Sequence, residues 1–297
     1  MSGTRREERL ADLFDRLADR AAAPLIMGVL NVTPDSFSDG GAFVAPRGAV
    51  DRGLDMVAEG ADVIDVGPES TRPGALPVPA AEQIDRAVPV IEGLRRGDPA
   101  VAISVDTQHA EVARAALAAG ADLVNDISAL RADPRTLRVA VEHRAGVVLM
   151  HMRGTPRTMQ TAGGGPVYDD VVSEVGSFLR GRLEFAVEQG LPRNRILIDP
   201  GIGFGKTVRH NLDLLRHLPA LAGLGVPLLV GASRKRFVGE VTGVEVAADR
   251  LAGSLVCVAV AVLGGAALLR VHDVAASRQA VLMAHALSPP PPAPPPH

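Results

Sequence analysis

Short, nearly unbroken apolar runs recur along the chain, separated by longer stretches in which apolar residues return every three or four positions. The runs are Leu25–Asn31, Asp62–Val66, Val101–Asp106, Leu123–Asn125, Gly146–His151, Ile196–Asp199, Pro227–Gly231 and Ala267–Val271. Continuous rather than alternating apolarity marks parallel strands covered on both faces. Between them Pro46–Gly60, Ala81–Arg96, Gln108–Gly120, Pro134–Arg144 and Tyr168–Gly190 read as helices, and Gly60, Gly120 and Gly190 stand where helix C-caps belong. Eight β/α units in one uninterrupted series predict an α/β fold of the closed (β/α)8 type, a TIM barrel, in a single domain. Residues 1–22 read as a helical extension, 23–287 as the barrel and 288–297 as a Pro-rich tail, expected to be extended and disordered.

The polar residues are placed with equal regularity. Asn31, Asp65, Asp106, Asn125, His151, Asp199 and Ser233 each fall at or just after the carboxyl end of a predicted strand, as do Arg270 and His272 on the last. In a barrel those ends converge on one mouth, where active sites of this fold are built. A single polar strand end can merely cap the next helix, but capping alone does not explain the same ending on every strand.

Composition narrows the classes of function. With 297 residues, 47% hydrophobic, the chain can bury a large core. Its net charge of −3 lacks the basic footprint of a nucleic-acid binder, and with no Trp and one Tyr it lacks stacking platforms for single strands. The one cysteine, Cys257, forms no intrachain disulfide, which fits a reducing cytoplasm; it reads as a buried, inert thiol. No signal-peptide core is expected at the amino end, and the apolar stretch Leu251–Leu269 reads as a barrel helix rather than a membrane span because Gly264, Gly265 and other small residues interrupt it.

Three loops carry candidate chemistry. The segment Asn31–Gly41 is long and rich in turn residues, and Asn31 offers a neutral oxygen of the kind Mg2+ takes alongside phosphate oxygens. Ser70, Thr71 and Arg72 follow the second strand between Pro68 and Pro73, and such a loop can close on an anion or stand as a solvated turn. Asp199–Lys206 is rich in glycine without being the G-x-x-x-x-G-K-[ST] phosphate cradle, since Gly201 and Gly205 are one residue too close. Its glycines are expected to let backbone approach a flat ring, with Phe204 on one face. Asp106, Asn125 and Asp199 suit the N–H-rich edge of an aminopyrimidine, but an acid/base pair or metal ligation fits two carboxylates equally, and spacing does not separate these. Ser233 is placed as an N-cap, Lys235 reaches over the mouth, and Arg270 and His272 share one side of their strand as an anion grip.

Taken in order, Met27–Gly41, Glu69–Gly74, Ser104–Thr107, Val124–Asp126, Leu149–Gln160, Asp199–Lys206, Gly231–Lys235 and Arg270–Val274 resemble the dihydropteroate synthase family in order and spacing, from about Leu25 to the final helix. The resemblance implies a transferase that joins a dihydropterin pyrophosphate to p-aminobenzoate in folate biosynthesis. It implies Asp106, Asn125, Asp199 and Lys235 around the pterin, with Ile127, Met150 and Phe204 near its faces. Asn31, Thr71, Arg72, Arg270 and His272 are implied at the pyrophosphate, with Mg2+ on Asn31, and Arg72, Lys235, Arg270 and His272 as the catalytic groups. Phe37, Ser70, Thr71, Pro73 and Arg236 are implied at the p-aminobenzoate. A cytoplasmic homodimer is implied as well, with no nucleic-acid or membrane partner. Pro68, Ile202 and Arg236 depart from the family's usual Gly, Phe and Ser, and Arg236 sits near the expected aromatic carboxylate. The rivals are a folate-dependent methyltransferase barrel, which lacks the Ser70–Gly74 loop, and a pterin-binding paralogue without turnover.

Overall fold

The computed structural model describes residues 2–33, 41–70, 74–161 and 165–288. Eight parallel strands run β1 (Leu25–Asn31), β2 (Val63–Gly67), β3 (Ala102–Asp106), β4 (Leu123–Asp126), β5 (Gly146–Met150), β6 (Ile196–Asp199), β7 (Leu229–Val230) and β8 (Leu268–Val271). Around them lie α1 (Ser2–Ala18), α2 (Gly41–Ala58), α3 (Ala80–Gly97), α4 (Ala110–Ala119), α5 (Arg135–Glu142), α6 (Val171–Glu188), α7 (Val208–Arg216), α8 (Leu218–Ala222), α9 (Arg236–Thr242), α10 (Leu251–Leu263) and α11 (Val274–Ala286). Every strand falls within a residue or two of its predicted run, except that β7 is cut to two residues. Pro227 has no N–H to give a ladder, so only its carbonyl contributes, accepting from Ile198 N at 3.1 Å. Each strand pairs with its sequence neighbour, and β1 pairs with β8. The remaining seam, between β6 and β7, is held by one bridge, Ile198 to Leu228.

The alternation of strand side chains divides the core in two. Outward residues such as Ile26, Ile64, Ile103, Val124, Val147 and Leu269 pack under the helices. Inward residues at the amino ends, including Met27, Val63, Leu123, Val148 and Leu197, form a separate cluster with Leu10, Leu13, Phe14 and Leu17 of α1. The amphipathic stripe of α1 therefore plugs the floor of the barrel. Ion pairs fix the plug: Arg9 of α1 and Arg95 of α3 both meet the buried carboxylate of Asp122, each at 2.7 Å. Gly146 makes room for it, since a Cβ there would stand 3.1 Å from the Phe14 ring.

Among the described residues no helix is long and apolar enough to cross a membrane. The Pro-rich tail from 289 onward lies outside the described residues.

Candidate active site

With its floor closed by apolar side chains, the barrel is polar at the other end. Asp106, Asn125, Ile127, Met150, Asp199, Phe204, Gly231, Lys235 and Arg270 line one cavity at the carboxyl ends of the strands. All seven residues expected around a pterin are brought together there. Ile127 and Met150 make an apolar wall with Met152, Met159 and Phe204, suited to the face of a flat ring. Lys235 reaches in from the loop after β7, its Nζ donating to Ile202 O and lying 4.6 Å from the centre of the Phe204 ring.

The cavity's electrostatics follow from burial. Asp106 accepts from Arg270 Nη2 at 3.0 Å, yet loss of solvent outweighs that partner and raises its carboxyl to about 7. Burial raises Asp199 too, opposed by the charge of Lys235 and by a 2.7 Å bond from Gly201 N. Burial lowers Lys235 to about 8, with Asp199 pulling the other way. Arg270 is kept charged: Asp65 accepts from its Nε at 2.7 Å, and Asp106 supports it from the cavity.

Other expected residues fall less centrally. Asn31 ends β1 at the rim, half-buried. His272 follows β8 and its Nδ1 stands 3.1 Å from Ser233 Oγ. Ser233 also accepts from His272 N, so it ties the β7 and β8 loops together and does not cap α9, whose N-cap is Lys235. Ser70 is half-buried at the edge of its loop, which Glu69 anchors by accepting from Val78 N at 2.8 Å. Phe37, Thr71, Arg72 and Pro73 lie outside the described residues. Arg236 points to solvent and pairs with Glu240 one turn along α9, so it is an exposed helix residue here rather than part of the cavity.

Two further expectations are corrected. His151 does not face the mouth. Met150 faces inward, so the next side chain turns out, and His151 packs edge-on against Phe178 with ring centres 4.9 Å apart. There it meets Lys206, whose buried Nζ lies 2.9 Å from His151 Nδ1 and donates to Phe204 O at 3.0 Å. Lys206 thus ties the Gly-rich loop to the end of β5, a role its sequence position did not signal. The glycines of that loop make room for protein rather than for ligand: a Cβ on Gly201 would run into His151 O, and one on Gly205 into Arg153 O, and both adopt positive φ.

The fold and this rim together define an α/β-barrel enzyme that recognises a flat, N–H-rich heterocycle at the carboxyl ends of its strands. Residues 27–272 match the model of the pterin-binding enzymes. A dihydropteroate synthase of Synechocystis sp. is 43% identical over 290 residues, covering 93% of this chain and 99% of the relative. A Xanthomonas albilineans dihydropteroate synthase solved with 4-aminobenzoic acid superposes with a TM-score of 0.83 at 49% identity, covering 90% of this chain and 94% of that one. The same organism's enzyme in complex with 7,8-dihydropteroate gives a TM-score of 0.80 at 46% identity, with the same coverage. The chain belongs to the pterin-binding enzyme family, and within it to the dihydropteroate synthases.

Proposed function

We propose that this chain condenses 6-hydroxymethyl-7,8-dihydropterin pyrophosphate with p-aminobenzoate, giving 7,8-dihydropteroate and pyrophosphate, in the cytoplasm. The observation that carries it is the cavity itself: two carboxylates, an amide and a lysine around an apolar slot, in a chain nearly half identical to synthases solved with 4-aminobenzoic acid and with 7,8-dihydropteroate. Asp106, Asn125 and Asp199 accept from the pterin's N–H groups and Lys235 donates to its acceptor edge. Ile127, Met150 and Phe204 enclose the ring.

Substitution occurs at the pterin methylene carbon. The bond to the pyrophosphate oxygen breaks first, its electron pair leaving with oxygen; the amine lone pair of p-aminobenzoate then forms the C–N bond, and the extra proton on that nitrogen passes to water or to the departed pyrophosphate. Asp106 and Asp199 favour the cation that develops on the ring, and Arg270 and His272 stabilise the departing anion. No base need activate the nucleophile, because a neutral aryl amine already carries its lone pair. Thr71 and Arg72 complete the grip on pyrophosphate; Phe37, Ser70 and Pro73 shape the amine pocket and keep it dry. Asn31 offers one neutral oxygen at the rim, a donor set that suits Mg2+ held mostly by phosphate and water oxygens. When bound there, Mg2+ supplies charge neutralisation to the leaving group.

The decisive measurement is p-aminobenzoate-dependent release of pyrophosphate from the pterin pyrophosphate. A purified chain that binds the pterin but releases no pyrophosphate on adding p-aminobenzoate is a paralogue without turnover.

A further inference from the structure

Asp65 is wholly buried and is not among the residues lining the mouth cavity, yet it touches two that are. It sits inward on β2, opposite Ser104 of β3 and beneath the rim. Its Oδ2 accepts from Arg270 Nε at 2.7 Å and from Asn125 Nδ2 at 3.0 Å. A guanidinium only donates, so the oxygen it meets is an acceptor. The Asn125 atom facing that same oxygen must then be the amide nitrogen, since two acceptors repel. This leaves Asn125 Oδ1 as the end turned to the cavity. An asparagine without such a partner presents either end, because its two termini have nearly the same shape.

We infer that Asp65 is a positioning residue: through Asn125 it fixes the polarity of the rim, making that amide an acceptor toward the substrate. This rests on the pterin function proposed above and adds the source of its selectivity. Asp106, Asp199 and Asn125 Oδ1 then all accept, so a ligand must bring N–H donors to that side. An aminopyrimidine edge does so. A ring with carbonyl oxygens at those positions meets like poles and is rejected, since unpaired buried polar groups discriminate more strongly than missing apolar contact.

The test is a double-mutant cycle on Asp65→Ala and Asn125→Ala, read by titration calorimetry with 6-hydroxymethylpterin. That probe lacks the pyrophosphate, so any loosening of Arg270 is not read as lost anion grip. Asp65→Ala is expected to weaken binding about tenfold in the parent, and by no more than about twofold once Asn125 is Ala. Purely structural damage gives equal losses in both backgrounds and overturns the inference, as does parent-like affinity in folded Asp65→Ala. Where that variant does not fold, Asp65→Asn takes its place in the cycle. Arg270 still holds its amide oxygen toward Asn125, but a neutral oxygen grips that amide less firmly than a carboxylate, so a loss of about threefold is expected, again vanishing beside Asn125→Ala; parent-like affinity or additive losses overturn the inference. A parent chain that binds no pterin defeats the function and the inference together, whereas a parent that binds and turns over while the losses add defeats only the inference.

Discussion

Single residues in this site are asked to serve the fold and the ligand at once, and Arg270 shows the conflict most directly. Its position on β8 suggested an anion grip. The structure instead gives its guanidinium two buried carboxylates, Asp65 and Asp106. Arg270→Ala takes the cation from both, and is expected to lower stability by about 3 kcal/mol as well as to weaken pterin pyrophosphate binding; a thermal melt separates the two effects, and an unchanged melting temperature would refute the first. The pH dependence belongs to the same residues. Asp106 must be ionised to accept from the ring, and its carboxyl is raised to about 7, so pterin affinity should fall as pH drops through that value. Lys235 is lowered to about 8, so affinity should fall again above it. Calorimetry from about pH 6 to about pH 9 should trace a bell. For folding, the sign for Asp106 runs the other way. The folded state holds its proton more tightly than the unfolded chain, so this group favours the fold below 3.8 and that contribution is lost as pH rises through about 7.

At the scale of elements, the parallel strands were plain in the sequence because burial on both faces leaves little but apolar residues. Which strand-end residue faces the bore was less plain. The two-residue period settles it only when the strand's last residue is known, and extending β5 by one position put His151 at the mouth in place of Met150. Asp65 could be seen as a polar strand end, but not as lying one layer below the rim with Arg270 and Asn125 above it, because that depends on the stagger between strands. The link from Lys206 to His151 crosses two loops and left no periodic trace. The floor plug was legible only in part: the helical pattern of α1 was clear, its burial against β-strand ends was not. Phe14→Ala empties the centre of that contact and is expected to cost about 3 kcal/mol, lowering the melting temperature by several degrees. Pterin affinity should stay within about twofold, because floor and rim share no partner. A comparable loss in affinity would show that the two ends are coupled.

For the whole molecule, the outer surface carries large apolar side chains that the barrel does not use. Val256 and Leu263 on α10 and Leu282 and Met283 on α11 are exposed, although these two helices pack closely on each other. They are where the homodimer that the family resemblance implies can be tested. Sedimentation should show a dimer for the parent and a monomer for Val256→Glu; a monomeric parent would remove the proposal. The seam between β6 and β7 has a different consequence. Asp199 ends one bank and Lys235 follows the other, so a pterin bound as proposed above would stitch the barrel where its own ladder is thinnest. The amide protons of Leu228 to Gly231 should therefore trade with deuterium readily in the empty protein and slowly once it is filled. In that sense the substrate is also the last stave of the cylinder.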